Sequence, residues 1–104
     1  MAVTVVTEFT DKATIRVIAY IHDDDDTLTN PTAATVDISD PDGTLQVDGE
    51  AMSSSETGIY TYYYHKGAGE AVMAKGRWRG EVLIADGLGA DAVYSAKTFS
   101  FKVI

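Results

Sequence analysis

Apolar and polar residues alternate with period two along most of the chain, and that is the period of a half-buried strand. Val3, Val5 and Thr7 alternate with Thr4, Val6 and Glu8. In "ATIRVIAYI", residues 13–21, Ile15, Val17, Ala19 and Ile21 share one face, and Arg16, Ile18 and Tyr20 the other. "ATVDISD", residues 34–40, sets Val36 and Ile38 against Thr35, Asp37 and Ser39. A short strand is predicted over "TLQV", residues 44–47, and a strong one over "TGIYTYYYH", residues 57–65, because aromatic and β-branched side chains fit a pleated surface. "GRWRGEVLIADG", residues 76–87, turns Trp78, Val82 and Ile84 one way and Arg77, Arg79 and Glu81 the other. "KTFSFKVI", residues 97–104, turns Phe99, Phe101 and Val103 inward.

Turn chemistry separates these runs. "DPDG", residues 40–43, combines a proline that presets φ, aspartates that cap amides and a glycine that tolerates positive φ. "DGLGAD", residues 86–91, predicts a hairpin turn between the last two strands, and "GAGEAVMAKG", residues 67–76, a loop. "MSSSETG", residues 52–58, predicts a flexible connection, and no stretch carries a convincing amphipathic helix. Seven strands in 104 residues predict one domain, an all-β antiparallel β-sandwich, with a small closed barrel as the runner-up. The expected core holds Ile15, Val17, Val36, Ile38, Trp78, Val82, Ile84, Phe99 and Phe101.

Charge narrows the function classes. The net charge is −8, and residues 17–65 hold ten acidic residues and no lysine or arginine. Such a surface repels a phosphate backbone, which argues against nucleic-acid binding. Without cysteine the chain has no disulfide, thiolate metal site or cysteine nucleophile. The alternating N-terminus lacks the basic flank and apolar run of a signal peptide, and no run is long enough to span a membrane. The chain reads as complete, soluble and not exported by the general route.

A family resemblance rests on a series of turns and core positions. Glu56, Gly58 and Tyr60 follow the acid-x-Gly-x-Tyr spacing of a tyrosine corner, in which a tyrosine clamps an inter-sheet connection. Tyr62 stands where an antibody domain has cysteine. The sequence "DDDTLTNPTAATVDISDPDGT", then "TGIYTYYY", "KGRWRGEVLIADG" and "TFSFKV", resembles small cysteine-free immunoglobulin-like proteins encoded by tailed bacteriophages and prophages. The matching positions are Pro31, residues 40–43, Gly58, Tyr60, Gly76, Arg77, Trp78, Phe101 and Val103, within a resemblance covering roughly residues 13–104. The acidic turn departs from the pattern in having no glycine after its aspartates. The resemblance implies an immunoglobulin-like sandwich with a virion, head–tail or accessory role, located in the particle or in the host cytoplasm.

Candidate chemistry is sparse. His22 and His65 each end a predicted strand, and His22 adjoins Asp23, but no nucleophile elbow or His-Glu-x-x-His pair accompanies them. Gly87 and Gly89 lack the third glycine and the following helix that would hold a pyrophosphate, and Pro31 blocks glycosylation at Asn30. The run Asp23, Asp24, Asp25, Asp26 is the one candidate metal site. Calcium takes six to eight oxygens, and Asp86 or Asp91 could join from another loop. Consecutive aspartates in extended chain point to opposite sides, so the favoured reading is a solvated turn, with weak calcium binding as the minor one.

Apolar side chains left over from the core supply the sharpest functional expectation. Ile18, Tyr20 and Tyr63, with Arg77 and Arg79 beside Trp78, are the candidate contacts of a protein interface. The expected function is a non-enzymatic structural or interaction module that binds a protein partner or itself through a sheet face or edge. No cofactor, small-molecule substrate, nucleic acid or membrane is implied. The alternative is a bacterial cell-surface adhesive or carbohydrate-binding immunoglobulin-like module with a calcium-stabilised loop.

Overall fold

A computed structural model describes residues 2–11, 14–65, 75–87 and 93–103. They form eight strands: β1 (Ala2–Asp11), β2 (Thr14–His22), β3 (Ala33–Ser39), β4 (Leu45–Ala51), β5 (Ser53–Glu56), β6 (Ile59–His65), β7 (Gly76–Asp86) and β8 (Val93–Val103). All pairing is antiparallel and builds two four-stranded sheets, in the orders β1-β2-β6-β5 and β4-β3-β7-β8. The described residues contain no helix.

Alternation decides which face each sheet buries. Ile15, Val17, Ala19 and Ile21 of β2 meet Ala34, Val36 and Ile38 of β3 and Trp78, Val82 and Ile84 of β7 in one core. Aromatic rings concentrate at one end of it. The Trp78 and Phe101 rings, cross-strand partners on β7 and β8, stack with centroids 5.9 Å apart and planes 13° apart. Tyr64 tilts against Trp78 from the facing sheet at 5.7 Å, and Phe9 meets Phe101 edge-on at 5.8 Å. Rings offset or edge-on in this way bury large apolar areas and satisfy their quadrupoles. Phe99 is only partly buried. It lies over Gly80, its cross-strand partner, where an added Cβ would collide with the Phe99 ring and approach the Asp37 carbonyl at 2.7 Å.

Two connections differ from the sequence expectation. "MSSSETG" is no flexible link: Ser53–Glu56 is a short edge strand on β6, with Ser53 opposite Thr61 and Ser54 opposite Tyr60. The chain changes sheets at Met52, which is buried and donates its amide to the Ala34 carbonyl at 3.0 Å. Consequently Gly58 and Tyr60 follow a hairpin within one sheet rather than an inter-sheet tyrosine corner. Strand β4 also runs four residues further than alternation suggested, through a bulged stretch in which Asp37 Oδ1 accepts the Gly49 amide.

The last hairpin is borne out by its ladder. Strands β7 and β8 pair without a break from Gly76–Val103 to Asp86–Val93, so β8 begins four residues before the expected Lys97. Residues 88–91 of its turn, and residues 67–74 of the expected loop, lie outside the described residues. At one end of the long axis, some 42 Å in extent, Gly87 donates to Thr32 Oγ1 at 2.9 Å; at the other, Gly76 abuts Pro41. Strand β1 starts at the first end and β8 finishes at the second.

Candidate interaction surface

The outward face of the first sheet gathers most of the predicted contacts. Register places Glu8, Arg16 and Tyr63 in one cross-strand row, Val6, Ile18 and Thr61 in the next, and Thr4, Tyr20 and Ile59 in a third. Arg16 is the hinge of the face. Its Nη2 lies 3.1 Å from Glu8 Oε1, and the hydrogen bond that the guanidinium donates to the Tyr63 oxygen, with the Glu8 carboxylate, holds its pKa above the ordinary arginine value. A guanidinium flanked by a carboxylate and a tyrosine is fixed in direction on both sides.

The expected contacts are not equally available. Tyr63 is 55% exposed and Tyr20 is half-buried, but Ile18 is only 6% exposed. Correcting the expectation for Ile18, its place in the middle strand between Val6 and Thr61, with Arg16 and Tyr20 two residues to either side, covers it. Val6, 44% exposed, offers more apolar surface than Ile18 does. The sequence contained that signal, since Val5 and Val6 cannot both face inward.

Arg77 and Arg79 lie on the other sheet, on the outward face of β7, and both are exposed. Arg77 donates to Ser100 Oγ at 3.0 Å, and its cross-strand neighbour is Lys102. A shallow depression lined by Arg79, Gly80, Thr98, Phe99 and Ser100 opens beside them. These arginines therefore belong to a separate surface from Tyr20 and Tyr63.

The aspartate run is organised by backbone hydrogen bonds. Asp23 Oδ1 accepts the Asp25 amide at 2.9 Å and the Thr27 amide at 3.0 Å. The Asp23 amide donates to the Thr27 carbonyl at 2.9 Å, and the Asp23 carbonyl accepts from Asp26 at 3.0 Å. One carboxylate oxygen of the run thus caps the turn. Among the described residues no group of three or more His, Cys, Asp or Glu is placed to hold a metal ion. Asp86 is exposed at the end of β7, and Asp91 lies outside the described residues.

The two histidines do not converge. His22 is half-buried where β2 ends and bridges to Leu28, whereas His65 pairs with Thr14 at the far end of the same sheet. The His65 side chain lies outside the described residues. Among those residues no helix is long and apolar enough to cross a membrane. Comparison with known protein families, with curated proteins and with solved structures gives no match.

Proposed function

We propose that this chain is an immunoglobulin-like module of the kind encoded by tailed bacteriophages or prophages, serving as a non-enzymatic structural or interaction component of a particle. Strand order is the observation that carries the reading. Lettered in sequence with the fourth strand as C′, the sheets read A-B-E-D and C′-C-F-G, the order of an immunoglobulin sandwich with one extra strand. In this reading the change of sheet at Met52 corresponds to the C′-to-D crossover. The buried Trp78, however, lies on the seventh strand rather than on strand C, so it is not the tryptophan of antibody domains.

The functional half of the reading is supported by the outward face of the first sheet. Tyr63, Tyr20 and Val6 surround an arginine fixed by two partners, and interfaces are enriched in tyrosine and arginine presented in this way. The test is proteomic. Particles released from the encoding strain and banded on a density gradient should contain the chain at a fixed ratio to the major structural protein, and Tyr63→Lys should deplete it there while leaving its fold intact. Particles free of the chain, with the protein wholly in the unassembled fraction, would overturn the reading.

A further inference from the structure

Four strands bound the two sheets, and three carry a guard against pairing with a further strand. Strand β5 is only four residues long. Strand β4 has register shifts in its ladder, Gly49 at φ 64° and exposed Asp48 and Glu50. Strand β8 is long, but Lys97 lies on its core-facing side, opposite buried Val82. Short edges, bulges and inward-pointing charges are how sheets prevent edge-to-edge association.

Strand β1 has no such guard over Ala2–Phe9; its register shift comes only between Phe9 and Asp11. From Ala2 to Phe9 it pairs with β2 without a register shift, and among the described residues its opposite edge belongs to no ladder, although β8 of the other sheet lies beside it and Phe101 meets Phe9 there. That segment contains no proline, and its one charged residue, Glu8, is held by Arg16. Its apolar side chains are incompletely covered: Val3 and Val5 are half-buried and Val6 is exposed, although their partners Ile21, Ala19 and Ile18 are buried.

We propose that β1 is a self-recognition edge, through which two copies of the chain pair antiparallel about a twofold axis. The two sheets then join as β5-β6-β2-β1 against β1-β2-β6-β5. Charge selects this occupant. At net charge −8 most of the surface repels a second copy, whereas Ala2–Phe9 is locally balanced. With Val5 on the axis, Val3 meets Thr7 of the second copy, Thr4 meets Val6, and Ala2 meets Glu8, so no carboxylate opposes another. Unpaired strand amides and carbonyls supply the hydrogen bonds, and the valine rows supply apolar contact.

This deepens the interaction reading by naming the edge and the partner, and the particle assay above can fail without affecting it. The test is sedimentation of the wild type, Thr4→Pro, Val5→Pro and Tyr63→Lys. Consecutive amides of a strand point to opposite edges, so one proline removes an amide bonded to β2 and lowers the melting temperature. The other removes an outward amide and leaves the melting temperature close to wild type. The wild type and Tyr63→Lys should be dimers at the highest soluble concentration, and the stable proline variant a monomer. A monomeric wild type, a dimeric stable proline variant, or loss of the dimer in Tyr63→Lys would each overturn the proposal. Amide exchange of the wild type is a second readout that needs no variant. Alternate amides of β1 should become protected only at high concentration, and protection independent of concentration would overturn the pairing.

Discussion

Asp26 and Gly43 occupy the same position in two copies of one five-residue turn. In both, an aspartate Oδ1 caps the amides two and four residues on: Asp23 those of Asp25 and Thr27, Asp40 those of Asp42 and Thr44. In both, the aspartate amide bonds the threonine carbonyl and its carbonyl accepts from the fourth residue. That fourth residue is left-handed, at φ 63° for Asp26 and φ 87° for Gly43. "DDDDT" and "DPDGT" are therefore one turn in two spellings.

Left-handed backbone costs a residue with a Cβ about 1–2 kcal/mol, less for aspartate, and glycine almost nothing. Asp26→Gly should accordingly stabilise the protein by about 0.5–1 kcal/mol, despite the added chain entropy of glycine. Asp23→Ala should cost about 1–2 kcal/mol, because it orphans two amides at once. Asp25→Ala should stay within about 0.5 kcal/mol of wild type. Urea denaturation of the three variants measures the ranking. Equal losses at all three would mean that charge rather than capping governs the turn.

Gly58 is required on two grounds. Its φ is +75°, and an added Cβ would lie 2.8 Å from the Thr29 amide nitrogen and 2.9 Å from the Ile21 carbonyl oxygen. Its amide bonds Asn30 Oδ1 at 2.8 Å, and its carbonyl accepts the Ile21 amide. Gly58→Ala should cost about 2–4 kcal/mol, combining backbone strain with displacement of the 28–30 segment. Gly43→Ala, where nothing lies within 4 Å, should cost only the backbone term of about 1 kcal/mol. Thermal denaturation of the two variants separates the contributions.

Trp78 is the one tryptophan and is 1% exposed. Native fluorescence should be blue-shifted and move to the red in a single transition on unfolding, coincident with loss of the strand signal in circular dichroism. Trp78→Ala should cost about 3–5 kcal/mol, since Tyr64 and Phe101 lose the ring they pack on. A native emission maximum typical of exposed indole would contradict this packing.

Tyr62 should make stability fall at alkaline pH. Burial raises its pKa above the ordinary value of 10.0, helped by the Glu50 carboxylate and Tyr64. A folded-state pKa above the unfolded one means that the folded protein holds the proton more tightly. The associated stability is fully present below the unfolded pKa and is lost as pH rises through the folded one. Melting temperature should therefore drop above about pH 10 in the wild type and drop less in Tyr62→Phe. Parallel curves for the two proteins would remove Tyr62 as the cause.

Much of this architecture was legible because alternation reports directly on burial in a sheet. Ile15, Val17, Val36, Ile38, Trp78, Val82 and Ile84 are buried as their spacing requires. Where alternation is silent, the reading failed. Ser53–Glu56 has no apolar residue to betray a strand and is defined only by its partner β6. Ile18 shows the limit for surfaces: its side of the sheet was clear, but its cover comes from residues on two other strands, which only register brings together. Register also separates Arg77 and Arg79 from Tyr20 and Tyr63 by a whole sheet, a division that linear spacing does not contain. The equivalence of residues 23–27 and 40–44 was hidden for a different reason. Asp26 takes a glycine's conformation without being a glycine.

The position of the two outer strands has a mechanical consequence. Ala2 and Val103 lie at opposite ends of the long axis, on parallel strands at neighbouring edges of the two sheets. Tension applied between them runs along the strands, so the β1–β2 and β7–β8 ladders are loaded in shear. Their hydrogen bonds then bear the force together rather than opening one at a time, so a pull along this axis meets both ladders at their most resistant.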